Sequence, residues 1–572
     1  MTREELEERF LPPRELWPEL TIPKEVTMPP KANLAYALLD RHVAAGKGNH
    51  IAVKDCGSHF TYGQLQEGSL RIAHGLLKLG IQRGDRVSYM LNNTKEAIMV
   101  NFALQRIGAI VAPSSPYWSE EHLRFILNNV EVSLCVVSPE YIEKIEKVKR
   151  DVPSLKWIMV IGDDRLCRER GHVCFDKMLE TEEDSYFLEE MDLEDIGAVL
   201  HTSGTTGRPK GCVHKIKSIL AECYLVNKYV WRLVEGDVLG GSAPVCLAAG
   251  YGTFCLIPFW AGSTISLIPK FSPKGLVEAI ERDGVTVLTG LTNTYKSLLR
   301  YQGWNEETMR HLRLCTAGGS TLDPPVYRAW LERVGRPIYE GLGATEMLHL
   351  VLSNAVRMRP KAGSIGFPIP GFDVQIVDEN NKPCAPGEMG KMMVKGPTGV
   401  LYWNAHRIPE LLEKQKRNVV DGYTCLGDVM TRVPSGYYYF VARVKDLIHK
   451  EGKTIGPLEI EELLITHPYV EDAGVVSLPK EDNENEEEIV AFVVTPWGND
   501  LSTEKRRELK QFCRDRLDAE YKVPDCIEGV AFIPRTPAGK PLRNILRKWE
   551  MGRRLERQRK AKYKSQVEDE CS

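Results

Sequence analysis

Short apolar runs alternate along this chain with stretches in which apolar residues recur at helical spacing. The runs RVSYML, AIVAPS, VSLCVVS, KWIMVIG and VTVLTG read as buried strands. SLRIAHGLLKLG and KEAIMVNFALQRIG carry the helical period, and each closes on a glycine at C′, where a left-handed residue ends a helix. Strands alternating with helices predict an α/β protein with parallel sheets covered on both faces. No internal repeat is visible.

The chain has 572 residues, too many for one core, so two or more domains are expected. The composition shifts after about Arg443, where acidic and basic residues crowd KEDNENEEE and LSTEKRRELKQFCRDRL. This predicts a large domain over 1–443, a small well-solvated domain over 444–550, and a basic helical tail over 551–572. The tail, MGRRLERQRKAKYKSQ, reads as a solvated face.

Charge and cysteine content narrow the function classes. The formal net charge of -3 gives no hint of a nucleic-acid or polyanion partner, and no nucleic-acid partner is expected. None of the 14 cysteines is spaced as CxxC and no HExxH occurs, so a structural zinc site is not expected. Reduced, mostly buried thiols point to a cytoplasmic setting. MTREELEERF lacks an apolar signal core. Residues Val238 to Pro269 carry no charge, a length that can span a bilayer, but eight Gly and Pro residues punctuate them. A buried strand-turn-helix-strand path fits better, and no integral membrane segment is expected.

The richest chemistry lies in HTSGTTGRPKG, residues 201–211. A strand run, GAVL, precedes it. Backbone N–H groups of glycines and threonines can form a nest for anionic oxygens. Thr202, Ser203, Thr205 and Thr206 add hydroxyls, and Lys210 adds a cation. The loop is not a Walker A motif, because Pro209 stands where its second glycine belongs. GLGATE lacks the third glycine of a dinucleotide fingerprint. The residues themselves indicate a phosphate site and nothing finer.

HTSGTTGRPKG resembles the phosphate loop of the acyl-adenylate-forming enzymes, the AMP-dependent synthetases and ligases. TAGGS (Thr316–Ser320), YEGLGATEM (Tyr339–Met347), GSIGFPIPG (Gly363–Gly371) and GEMGKMMVKGP (Gly387–Pro397) follow in that family's order. So do GYTCLGD (Gly422–Asp428), ARVKDLIHKEGKTIGPLEIEE (Ala442–Glu462) and TPAGKPLR (Thr536–Arg543). The resemblance covers about Ala35 to Arg547. It implies a large N-terminal domain of stacked mixed and parallel sheets with helices, plus a small mobile α+β C-terminal domain.

The resemblance also implies a reaction and its site. A carboxylic acid is joined to AMP with release of pyrophosphate, and coenzyme A then displaces AMP. ATP, Mg2+ and coenzyme A are the expected cofactors, and a small-molecule carboxylic acid is the partner. By resemblance, Thr202, Ser203, Gly204, Thr205, Thr206, Gly207 and Lys210 hold the β- and γ-phosphates, Thr345 the α-phosphate, and Glu346 the Mg2+. Gly318, Gly319 and Ser320 lie against adenine, with Glu340, Gly341, Leu342 and Gly343 beside it. Asp428 accepts the ribose hydroxyls, joined by Arg443 from the far side of a hinge at Lys445. Lys540 is the adenylation lysine. Lys450, Gly452 and Lys453 face coenzyme A in the second step.

MLHLVLSN after Thr345-Glu346, and the aliphatic Leu342, look like the benzoate-CoA ligase branch. The acyl wall departs from it: PVCLAAGYG has Leu247 and Ala249 where aromatics commonly stand, followed by Gly250. His349 either approaches the acyl group or is a core histidine. An aryl, substituted aryl, branched or medium-chain aliphatic acid all remain open. The rivals are a luciferase-type oxygenase, an enzyme with an amine or carrier-protein acceptor, a P-loop NTPase, which would release phosphate rather than pyrophosphate and AMP, and a non-catalytic descendant acting as a binding protein. Only about thirty residues follow Lys540, so no fused carrier domain is expected. A descendant without activity should lack Lys540, Glu346 or Asp428, and all three are present.

Overall fold

A computed structural model describes residues 1–572 except 163, 182–184, 203–207, 481–485, 537–539 and 571–572, and the side chains of 561–570. Two large sheets form its body. In the first, five strands run parallel beside one another in the order Ile338–Gly343, Leu314–Gly318, Val287–Leu291, Val238–Gly241 and Thr264–Leu267. Ile51–Asp55 extends the parallel set, and antiparallel strands flank both edges. In the second, six parallel strands from Val173–Cys174 to Ile196–His201 end on the antiparallel strand Gly211–Lys215. In the chain, residues 202–210 connect those last two strands.

The predicted helices form over Tyr62–Lys78 and Lys95–Arg106. Gly80 and Gly108 follow them at φ 81° and 69°, a left-handed conformation that a Cβ would strain. Thr61 and Gln64 add a capping box at the start of the first helix. Within AIVAPS the strand is Ile110–Val111, and the Ala112 and Ser114 N–H groups still donate to the Val87 and Tyr89 carbonyls at 2.9 and 3.0 Å. The uncharged segment after Val238 folds as strand, short helices and strand, as its breakers predict. Among the described residues no helix is long and apolar enough to cross a membrane. The described cysteines are all free thiols.

A five-stranded antiparallel sheet joins Asp373–Val377, Met389–Lys395, Tyr423–Arg432, Val419–Val420 and Tyr438–Arg443. Beyond it lies a smaller unit with a core of its own, centred on Ile448, Ile460, Val475, Val493 and Leu509. It comprises the hairpin Ile448–Lys450/Lys453–Ile455, a three-stranded sheet, the helices Pro457–Ile465 and Thr503–Arg514, and one continuous helix over Arg543–Glu570. Arg300 of the large unit reaches Glu471 of the small one at 3.5 Å.

Candidate active site

The strands Ile196–His201 and Gly211–Lys215 pair antiparallel with His201 opposite Gly211. Just past them the Thr202 N–H donates to the Lys210 carbonyl at 3.0 Å, and the Lys210 N–H donates to Thr202 Oγ1 at 3.4 Å. These bonds close the neck of the loop. Ser203, Gly204, Thr205, Thr206 and Gly207 lie outside the described residues. Lys210 Nζ stands 3.8 Å from Glu346 Oε1.

Thr345 and Glu346 open a short 3-10 turn at the end of the strand Ile338–Gly343. The turn ends on Leu348 at φ 67° and ψ −61°, with the His349 N–H donating to the Met347 carbonyl at 2.9 Å. This is a γ-turn of the strained hand, held by a fully buried leucine. It reverses the chain within one residue. Thr345 and Glu346 therefore stay on the phosphate-loop side, and His349 enters the wall beyond. His214, buried and pushed down to about 4 by burial, hydrogen-bonds the Thr345 backbone as a neutral ring.

Glu346 accepts a hydrogen bond from Tyr402 Oη at 2.9 Å, and Asn418 Nδ2 donates to the same hydroxyl at 3.1 Å. Burial works against a charged Glu346 carboxylate. Lys210, the backbone, Tyr402 and Arg443 together outweigh it and hold the carboxyl below its ordinary range. Among the described residues no cluster of three metal-ligating side chains occurs. A single ionised carboxylate fits a hard cation that draws its other ligands from water and phosphate oxygens.

Asp428 is 3% exposed and pairs in register with Arg443 on the neighbouring strand. Arg443 Nε lies 2.5 Å from Asp428 Oδ1, an ion contact without hydrogen-bond alignment. The expectation that Arg443 reaches Asp428 from beyond a hinge is therefore corrected: both stand in one sheet, before Lys445. Lys540 comes from the small unit. Its N–H donates to Thr536 Oγ1 at 3.1 Å, and its carbonyl accepts from the Thr536 N–H at 2.8 Å. Burial lowers its ammonium pKa, and Arg443 and Lys445 lower it further against the pull of Asp428 and Glu346. Lys540, Arg443, Asp428, Glu346 and Lys445 thus share one electrostatic environment.

Gly318, Gly319 and Ser320 form an open strand end, with Gly319 at φ 87° and Thr292 Oγ1 donating to the Ser320 carbonyl at 2.7 Å. A Cβ on Gly318 would touch only the Gly341 carbonyl, at 3.4 Å. The Glu340 side chain turns into the core, where Oε1 accepts from the Leu322 N–H at 3.0 Å and burial raises its pKa well above normal. Only the backbone of Glu340, with Gly341, Leu342 and Gly343, runs past this opening.

In the segment expected to form the acyl wall, Ala249 is exposed and Leu247 half-buried. Gly250 is packed so that a Cβ would fall 2.0 Å from the Pro244 carbonyl. His349 lies edge-on to Trp231 at 5.2 Å and under Gly252, whose Cβ would strike its ring at 2.3 Å. Burial pushes His349 down to about 4, and it hydrogen-bonds the Ala249 backbone. It is a neutral ring packed behind the Ala249–Gly252 segment. Lys450 is not near this group: its Nζ meets both Asp525 oxygens, at 2.9 and 2.8 Å, inside the small unit. Gly452 and Lys453 form the exposed hairpin tip, with Gly452 at φ 68°.

Sequence reasoning missed Tyr402, Asn418, His214 and Lys414. None stands in a motif with a spacing that signals it, and each reaches the site only through chain folding.

Residues 40–402 match the AMP-binding enzyme family, and residues 459–540 match the AMP-binding enzyme C-terminal domain. The chain is 30% identical over 538 residues to the acetyl-coenzyme A synthetase of Bacillus subtilis (strain 168), covering 91% of each. It is 29% identical over 534 residues to the benzoate–CoA ligase of Thauera aromatica, covering 92% of this chain and 97% of that one. Among solved structures, the anthranilate CoA ligase AuaEII in complex with anthranoyl-AMP superposes with a TM-score of 0.82 at 25% identity, over 91% of this chain and 98% of that one. The amide bond synthetase McbA from Marinactinospora thermotolerans superposes at 0.77 and 25% identity, over 90% and 99%. With the family matched over both of its parts, and its motifs gathered around Glu346, Asp428 and Lys540, this chain belongs to the AMP-binding enzyme family and is an AMP-forming acid–CoA ligase.

Proposed function

We propose that this ligase activates an aryl or a branched or medium-chain carboxylic acid, with the Ala249 side of the acyl wall setting its size. The convergence of Lys540 with Asp428, Arg443 and Glu346 carries the reading of the first step. In that step an oxygen of the acid attacks the α-phosphorus of ATP. The bond to the bridging oxygen breaks, and pyrophosphate leaves with the electron pair. Lys540 lies between the incoming carboxylate and the α-phosphate and stabilises charge as it builds. Thr345 donates to the α-phosphate, and the Asp428 carboxylate accepts the ribose hydroxyls. Glu346 would hold Mg2+, which neutralises phosphate charge when bound.

In the second step the thiol sulfur of coenzyme A attacks the acyl carbonyl, the bond to AMP breaks, and the thiol proton passes to solvent. Lys540 would leave the site as the small unit turns about Lys445, bringing the Gly452–Lys453 tip toward the acyl-adenylate.

The small Ala249 and aliphatic Leu247 favour acids wider than benzoate. No cationic side chain stands among Pro244–Gly252, which disfavours a second carboxylate on the substrate. The test is coenzyme A-dependent AMP formation over a panel of acids, repeated with Ala249→Tyr. One methylene of pocket volume is worth about 1–3 kcal/mol of discrimination, so the variant should move preference toward smaller acids. A ranking that ignores the substitution, or a preference for acetate, overturns the acyl-wall assignment.

A second reading, with an amine as acceptor, draws support from the McbA likeness and from Lys450, whose ammonium is committed to Asp525. Acyl-CoA and amide products, measured from one reaction mixture supplied with both acceptors, separate the two.

A further inference from the structure

The helix Pro409–Asn418 lies over the site beside Lys210 and Glu346. Residues three, four and seven apart share a helix face, which puts Leu411, Lys414, Gln415 and Asn418 on one side. Leu411 and Gln415 are buried on it. Gln415 Oε1 accepts from the Tyr402 N–H at 3.0 Å, and its Nε2 donates to the Leu16 and Val400 carbonyls at 2.9 and 3.1 Å. Asn418 grips the Tyr402 hydroxyl that bonds Glu346. The helix is therefore locked on the Glu346 side, with the Lys414 side chain aimed at Lys210.

Lys414 contacts Lys210, a second cation, and forms no ion pair among the described residues. Burial and Lys210 push its ammonium down to about 8. Around this point Lys210, Lys414, Arg443, Lys445 and Lys540 act on one another, opposed by Glu346 and Asp428 and, at Lys445, by Asp446. Five cations against three carboxylates leave an excess of positive charge that a polyanion among them would neutralise. Asp428 and Arg443 hold one end of this group. Lys210, Glu346 and Lys414 form the other, on the phosphate-loop side.

We infer that Lys414 is a further phosphate-binding residue of the first half-reaction, holding the β- and γ-phosphates of ATP and the pyrophosphate that leaves, with Tyr402 and Asn418 as positioning residues for Glu346. The inference rests on the adenylation reading above. A lysine here can move with the departing group, as a point charge on a flexible stem, without fixed bidentate geometry.

The test is acid-dependent ATP–pyrophosphate exchange in the full chain, with Lys414→Met, Lys414→Gln and Lys414→Arg. The neutral variants should raise KM for both ATP and pyrophosphate by about tenfold or more, the scale of one lost charge-assisted contact. Lys414→Arg should recover most of it. Thioester formation from synthetic acyl-AMP and coenzyme A should stay at the wild-type rate. Two neutral side chains guard against a single variant that does not fold. Unchanged pyrophosphate KM in a folded neutral variant, or equal loss in both half-reactions, overturns the inference. Absence of exchange in the wild-type protein with every acid would instead overturn the adenylation reading itself.

Discussion

Arg443 Nε sits 2.5 Å from Asp428 Oδ1 across two neighbouring antiparallel strands, yet gives that oxygen no aligned hydrogen bond. The pair holds a buried carboxylate charged beside a cation. An ionised carboxylate is acceptor-only and can serve ligand hydroxyls. Asp428→Ala should weaken ATP binding by roughly 10- to 100-fold, the loss of about 1.5–3 kcal/mol for a hydrogen bond to a charged group. Titration calorimetry with ATP measures it. Wild-type affinity in the variant would remove Asp428 from the ribose.

Lys540 divides the two half-reactions. Lys540→Ala should slow acid-dependent pyrophosphate release by about 10²–10³, as for one lost preorganised contact. The same variant should still form thioester from synthetic acyl-AMP. Equal loss in both steps would mean that the lysine does not swing.

The contact between the two units carries a pH dependence. Burial, then Asp323 and Glu461, together raise Glu462 of the small unit to about 7. Asp323 belongs to the large unit and pairs with Lys296, while Glu340 also faces Glu462. The sign follows from the raised value. The arrangement with Glu462 against Asp323 is favoured fully below the ordinary glutamate pKa, and it loses that support as pH rises through about 7. Raising pH across this window should shift the protein away from the Lys540-in-site arrangement. Fluorescence transfer between labels on the two units should report the shift, and Glu462→Gln should flatten it. A pH response that persists in Glu462→Gln excludes this carboxyl as its source.

Gly343 is a steric requirement. A Cβ there would fall 1.5 Å from the His349 carbonyl oxygen, against backbone that the strained Leu348 turn already fixes. Gly343→Ala should lower the melting temperature and depress both half-reactions, since Thr345, Glu346 and His349 all hang from this hairpin. Retention of full activity would show that the hairpin yields easily.

The sequence by itself determined the α/β alternation, the helix ends at Gly80 and Gly108, the Val238–Pro269 path, and the family motifs around Thr345, Asp428 and Lys540. These follow from local period, from backbone conformations that favour glycine, and from residues bound to one chemistry at fixed order. The tertiary structure decided what no local pattern encodes. Arg443 stands opposite Asp428 because two strands pair in that register. Tyr402, Asn418 and Lys414 face Glu346 because one helix packs where Gln415 can bond Tyr402. Glu340 points into the core, and Lys450 is spent on Asp525, because burial demands a partner for each polar group. Packing between distant segments sets those partners, and a reading along the chain has no access to it.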